Sequence, residues 1–273
     1  NIPETVRAAA LRVLRRTTPG WERVSEAEDG VSLSTFRMET LTGGMTNLVF
    51  KCTKPGGRNS RVLLRAYGDG NELFFSRHDE LAAFKQLAAA GLGPKLLGQF
   101  VDGRVEELLN AETLLPDDLR EPGCSARIAA KLAGMHAARI DGVATEPLVA
   151  TLLRRYHGNA LKLCGERYRG VDLLALGDAV DDLCLRLEKR GGQPPVFCHN
   201  DLQYGNIMRG RGKSGDGGGG AAAELFLIDY EYSGYNPRGY DIANHFCEWM
   251  ADYHSAEPHR LDTAKFPTIS QQH

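Results

Sequence analysis

Val196-Phe-Cys-His199-Asn-Asp201-Leu-Gln203-Tyr-Gly-Asn206-Ile-Met208, with Leu225-Phe-Leu-Ile-Asp229-Tyr-Glu231 some twenty residues later, decides how this chain is read. A short apolar strand delivers His-x-Asp-x-x-x-x-Asn, and a second apolar strand ends on an aspartate. This is the spacing at which a kinase sets a carboxylate beside the attacking hydroxyl and, five residues on, an amide that reaches a metal ion. Phosphoryl transfer asks little covalent chemistry of a protein, so a positioned carboxylate and oxygen ligands for Mg²⁺ meet most of its needs. Asp201 is the candidate catalytic residue, and Asn206 and Asp229 are the candidate metal ligands. A lone Asp often ends a strand or caps a turn for local reasons. The pair at this spacing is what points to phosphotransferase chemistry.

The composition is compatible with such an enzyme. The chain of 273 residues is 42% hydrophobic and 25% charged, and its net charge is -2. That is an ordinary globular balance with room for one large core or two small lobes. It carries no polyelectrolyte signal, so neither nucleic acid nor an anionic membrane surface is expected as a partner. The six cysteines form no Cys-x-x-Cys pair and no secretory signal pattern is present, which leads to the expectation of reduced thiols and a cytoplasmic location. Cys198-His199 and His245-Phe-Cys247 lack a second ligand pair at zinc spacing. No run of eighteen apolar residues offers a membrane span.

Hydrophobic periodicity predicts an amphipathic helix over residues 3–16, then β-type runs at 33–38, 47–53 and 61–67 that read as an antiparallel meander. A helix over 77–90 is predicted to bury Leu81, Phe84 and Leu87 and to stop at Gly91-Leu-Gly-Pro94. Short strands at 96–101 and 104–109 complete a nucleotide-binding lobe over 1–108. From 109 to 273 the pattern turns helical, with helices over 125–140, 147–164, 172–190 and 239–253. The two motif strands read as a hairpin. The Gly-rich segment 209–223 between them cannot bury a core and reads as a disordered loop. The fold class is therefore α+β, a protein-kinase-like two-lobe fold with a small antiparallel-sheet N-lobe and a mainly helical C-lobe.

On the nucleotide side, Gly43, Gly44, Met45, Thr46 and Asn47 join two strands, and the paired glycines let backbone N–H groups approach a phosphate. Arg65 occupies the strand position of the cation that kinases aim at phosphate, and Glu80 on the next helix is its natural partner. Glu106-Glu107-Leu108-Leu109 links the two lobes, which makes the main chain of Glu107 and Leu109 the candidate grip on adenine. After Asp229 the chain runs through Tyr-Glu231-Tyr-Ser-Gly-Tyr-Asn-Pro-Arg-Gly-Tyr-Asp241 straight into a helix. No room is left for a peptide-docking activation segment, so the acceptor is a small molecule.

Four runs carry a resemblance: Leu-Thr-Gly-Gly-Met-Thr-Asn-Leu-Val-Phe-Lys-Cys, Val-Leu-Leu-Arg-Ala-Tyr-Gly, Cys-His-Asn-Asp-Leu-Gln-Tyr-Gly-Asn-Ile, and Ile-Asp-Tyr-Glu-Tyr-Ser-Gly-Tyr-Asn-Pro-Arg-Gly-Tyr-Asp-Ile-Ala-Asn-His-Phe-Cys-Glu-Trp. In this order they resemble the choline/ethanolamine kinase family, of plant or green-algal type, over nearly the whole chain. The resemblance implies ATP- and Mg²⁺-dependent phosphorylation of choline to phosphocholine, feeding phosphatidylcholine synthesis. It also implies that Asp201 orients the choline hydroxyl, that Asn206 and Asp229 hold the metal and that Gln203 contacts nucleotide. Glu248, Trp249 and Tyr253 would line the pocket for the quaternary ammonium, a cation without donors that favours aromatic faces and a carboxylate. Trp249 and Tyr253 also fit a core stripe with Ile242 and Phe246. Asp241 is expected to fix the active-site loop by hydrogen bonds. Gln203 and Gly205 favour choline, and ethanolamine or dual use is the alternative, because methyl groups discriminate only modestly. Family members continue beyond the Tyr253 region with further aromatic helices, so the chain reads as C-terminally incomplete. A non-catalytic nucleotide- or choline-binding chain, for instance one subunit of a homodimer, is the reading from another class. An antibiotic phosphotransferase is disfavoured by the Tyr-Asn-Pro-Arg-Gly-Tyr-Asp and His-Phe-Cys-Glu-Trp runs.

Overall fold

The computed structural model describes residues 2–22, 33–41, 47–68, 76–189, 194–211 and 223–273. They fall into two compact units, one within 1–75, 84–112 and 208–228, the other within 76–83, 113–207 and 229–273. Gly43, Gly44, Met45, Thr46 and most of the Gly-rich 209–223 segment lie outside the described residues.

The first unit is built on a five-stranded antiparallel sheet. Its strands are β1 (Arg37–Leu41), β2 (Asn47–Thr53), β3 (Arg61–Tyr67), β4 (Leu96–Phe100) and β5 (Gly103–Glu107), in the order β1-β2-β3-β5-β4. Helix α1 (Glu4–Thr17) buries Ala10, Leu11 and Leu14 against Phe50, Cys52, Val62, Leu64 and Val105 of the sheet. The expected first strand starts late. Residues 33–35 form a turn, and the Arg7 guanidinium takes the carbonyls of Leu33 and Phe36 as acceptors at 2.9 and 2.6 Å, which removes them from any ladder.

Helix α2 (Arg77–Ala89) buries Glu80, Ala83, Phe84 and Leu87, while Leu81 is only half-buried. It closes as its sequence predicts. Gly91 takes φ +72°, and Leu92 N donates back to Leu87 O at 2.9 Å, the left-handed C-terminal cap that glycine adopts without a Cβ clash.

The second unit is mainly helical, with α3 (Pro122–Ala137), α4 (Leu148–Cys164), α5 (Leu173–Lys189) and α6 (Arg238–Glu248). A three-stranded sheet, most of whose residues belong to the first unit, has the order β11-β10-β6, with β6 at Ala111–Thr113, β10 at Ile207–Gly210 and β11 at Leu225–Leu227. A two-residue hairpin, β7 (Arg167–Tyr168) with β8 (Val171–Asp172), precedes α5. The expected hairpin between the two motif strands does not form among the described residues. β9 (Val196–Cys198) pairs antiparallel with β12 (Gly234–Asn236), and β11 pairs with β10. The strand that leads into Asp201 is thereby tied to the segment after Asp229, and Phe197 packs edge-on to Tyr235 at 5.5 Å. Short strand runs of this kind are decided by what they bury, which local sequence does not reveal.

Helix α6 is also shorter than the 239–253 expectation. Met250 N and Ala251 N donate to Cys247 O and Glu248 O in tightened turns, and Trp249 O accepts from the Arg120 guanidinium at 3.1 Å. The tightened turns and the tertiary bond from Arg120 satisfy the last carbonyls and end the helix. No described helix is long and apolar enough to cross a membrane.

Candidate active site

The loop that carries Asp201 is held by one face of α6. Asp241 Oδ2 accepts from His199 N at 2.9 Å and Asp241 Oδ1 from Asn200 N at 2.9 Å. One turn on, Asn244 Oδ1 accepts from Leu202 N at 3.0 Å, and His245 Nδ1 bonds to Leu202 O at 2.8 Å. Positions 241, 244 and 245 lie at the i, i+3, i+4 spacing that puts three side chains on one helix face. The expectation that Asp241 fixes this loop agrees with the structure.

Asp241 is fully buried and also bonds His136 Nε2 at 2.9 Å. Burial alone would raise its carboxyl, but the His136 bond, His199 and the two backbone N–H groups overcome it and hold the group below its ordinary range. His136, Cys198 and Asp241 place ligand atoms within 4.8 Å of one another. Burial and the Asp241 charge push the Cys198 thiol up, and Sγ donates to Asn236 O at 3.6 Å.

Asn200 sits at φ +66° in the left-handed region, secured by Nδ2 donating to Tyr232 O at 2.9 Å and Oδ1 accepting from Asn236 Nδ2 at 2.8 Å. Asp229 takes the same unusual φ of +66° where the chain leaves β11. Asn and Asp tolerate the left-handed region better than other non-glycine residues, and at Asn200 tertiary hydrogen bonds hold the backbone there.

Asn206 closes a 3-10 turn, Tyr204–Asn206. Its Nδ2 donates to Asp201 O at 2.8 Å and Asp201 Oδ2 at 3.0 Å, an orientation that presents the amide carbonyl oxygen elsewhere. Burial raises the Asp201 carboxyl to about 7, with the charges of Glu248, Asp229 and Glu231 adding to it against the Asn206 bond. Those charges show that Asp201, Asp229, Glu231 and Glu248 form one electrostatic cluster. An amide oxygen and a carboxylate beside other acids are hard oxygen donors of the kind Mg²⁺ selects, so Asn206 and Asp229 fit that ion.

At the far end of α6, Glu248 is half-buried and its carboxyl is raised by burial, partly offset by a bond from Tyr253. The Tyr253 hydroxyl donates to Glu248 Oε2 at 2.8 Å, and the Tyr253 ring is 45% exposed. Trp249 is 2% exposed, with its indole N–H directed to His245 Nε2 at 3.3 Å and its ring edge-on to Phe246. That is a core position rather than an open wall. Gln203 uses Oε1 to accept from Gly205 N at 2.9 Å.

In the first unit, Arg65 and Arg104 face each other across β3 and β5, and both reach Glu106 Oε1, at 2.9 and 2.7 Å. Burial raises the Glu106 carboxyl, and the two guanidiniums overcome this and hold it low. Glu106 is thus a countercharge for both guanidiniums that the spacing alone did not reveal. Glu80, which belongs to the second unit, is buried and pairs with Arg77 at 3.4 Å. Asn47 is buried at the start of β2, Glu107 Oε2 accepts from Lys95 N at 3.3 Å, and Leu109 is half-buried. Alternation along β5 places Arg104 and Glu106 on one face, and this was the available signal for the pair.

An α+β chain with a loop aspartate, an asparagine five residues on and a strand-end aspartate defines a phosphotransferase of the protein-kinase-like class. A solved choline kinase from Cryptosporidium parvum shares this fold, with TM-score 0.74 and 23% identity over 97% of this chain and 75% of that one. The family model described as choline/ethanolamine kinase matches residues 38–273. "Probable choline kinase 3" of Arabidopsis thaliana is 39% identical over 271 residues, 97% of this chain and 73% of the relative. "Probable ethanolamine kinase" of the same plant is 36% identical over 247 residues, 88% of this chain and 62% of the relative. The chain belongs to the choline/ethanolamine kinase family.

Proposed function

We propose that this protein transfers the γ-phosphoryl group of ATP to the hydroxyl of choline, giving phosphocholine for phospholipid synthesis. The observation that carries the reading is the Asp201 carboxylate, oriented by the Asn206 amide at 3.0 Å beside the acidic side chains of Asp229, Glu231 and Glu248, with burial raising its pKa to about 7. A general base is most effective when its pKa lies near the working pH. Asp201 accepts the hydroxyl proton as the oxygen attacks phosphorus, and Asn206 keeps the carboxylate in a fixed rotamer. Mg²⁺, held by Asn206 and Asp229, would neutralise phosphate charge when bound. Asn47, Arg65 and the main chain at Glu107 and Leu109 are the proposed nucleotide contacts in the described part of the first unit.

The acceptor is a cation because the cluster around Asp201 is acidic. Glu248 supplies charge, and the exposed Tyr253 ring supplies a face for a quaternary ammonium, an interaction worth about 0.5 to 2 kcal/mol. Ethanolamine is the second reading, supported by the related plant protein of that name, since three N–H donors could serve Glu248 equally well.

ADP release measured with choline, ethanolamine and an aminoglycoside tests this. Choline is expected to give the highest kcat/KM and the aminoglycoside none, with Asp201→Ala abolishing turnover while ATP still binds. ADP release that ignores the acceptor, or that survives loss of Asp201, refutes it.

A further inference from the structure

Tyr204 lies inside the motif that carries Asp201 and Asn206, yet the reaction as described gives it no task. Its side chain is 2% exposed. The hydroxyl accepts from the backbone N of Tyr253 at 2.9 Å. The two tyrosine rings stack with centroids 5.7 Å apart at 29°, and His254 closes the other side at 5.9 Å. Tyr253 in turn donates its hydroxyl to Glu248 Oε2 at 2.8 Å. The chain of contacts therefore runs from the catalytic loop to the end of α6, past the point at which that helix has stopped. Tyr253 lies beyond the last residue of α6, and there the Tyr204 hydroxyl and ring contact it directly.

We infer that Tyr204 is the positioning residue of the ammonium pocket, holding Tyr253 and through it Glu248 at a set distance from Asp201, and so determining preference among alkylammonium alcohols. The inference rests on the choline reading above. A trimethylammonium group has no N–H to steer it and depends on the placement of a ring face and a carboxylate. A primary ammonium can donate to Glu248 from several poses. Loosening Tyr253 therefore weakens the methylated substrate more.

Two variants separate the hydroxyl from the ring. Tyr204→Phe keeps the stacking surface and removes the acceptor, and Tyr204→Leu removes both. Steady-state KM and kcat are measured for choline and ethanolamine at saturating ATP, KM for ATP at saturating choline, and Tm for each protein. A hydrogen bond of ordinary strength predicts a rise in choline KM of about 3- to 10-fold for Tyr204→Phe. The rise is larger for Tyr204→Leu, and in both the choline-to-ethanolamine ratio of kcat/KM falls while KM for ATP stays within about 2-fold. Unchanged choline KM and unchanged substrate ratio in both variants overturn this inference while leaving the choline reading intact. Parallel losses in ATP KM, both amine alcohols and Tm make Tyr204 a plain core residue and overturn it too. A wild-type protein that phosphorylates neither alcohol overturns the choline reading, and this inference with it.

Discussion

Replacing Asp201 by asparagine removes a carboxyl that the fold keeps protonated until about pH 7, against an ordinary value of 3.8. The folded state holds this proton more tightly than the unfolded chain does. As pH rises from about 4 to about 7 the unfolded carboxyl has already ionised, and the folded protein bears a growing cost that levels off above pH 7. At about 1.4 kcal/mol per pH unit the shift bounds that cost at about 4 kcal/mol. Water reaches the partly exposed carboxylate and screens it, so about 1 to 2 kcal/mol is the expected stabilisation of Asp201→Asn. Asparagine keeps an oxygen for the Asn206 N–H, so no bond is lost with the charge. Thermal unfolding in the presence of a chelator is the assay. Tm is expected to rise by roughly 2 to 8 °C at pH 8, by less at pH 5 and not at all near pH 4, while kcat falls 100-fold or more. A gain that is absent, or that is the same at every pH, would refute the reasoning, because only ionisation carries this pH dependence.

Three further outcomes are expected. Glu106→Gln removes the carboxylate that the buried Arg65 and Arg104 guanidiniums share and costs about 3 to 5 kcal/mol, read as a lower denaturation midpoint. The carboxylate's own contribution should be present above its unfolded pKa and be lost as pH falls through its lowered folded value. Asp241→Ala releases the His199 and Asn200 amides, so hydrogen exchange there speeds up and turnover falls while nucleotide binding persists. Asn206→Ala is expected to raise the Mg²⁺ concentration needed for half-maximal rate and to free the Asp201 carboxylate, with both visible in a metal titration of the rate.

Most of the elements and the chemistry of the motif were legible in the chain's local patterns. Strands β2 and β3 were readable to the residue, and α1, α2, α4 and α5 to within one residue at each end, because apolar spacing and the Gly91 stop are local signals. The spacing of Asp201, Asn206 and Asp229 is itself enough to carry the phosphotransferase reading. Tertiary structure alone decided the partners. It paired β9 with β12 rather than β11, ended α6 at Glu248, gave Arg65 the Glu106 carboxylate, enclosed Trp249 in the core and tied Tyr253 to Tyr204. The reason is physical. Periodicity records which face of an element is buried, whereas the choice of strand neighbour, countercharge or helix end depends on groups far apart in the chain that meet only once the backbone has folded.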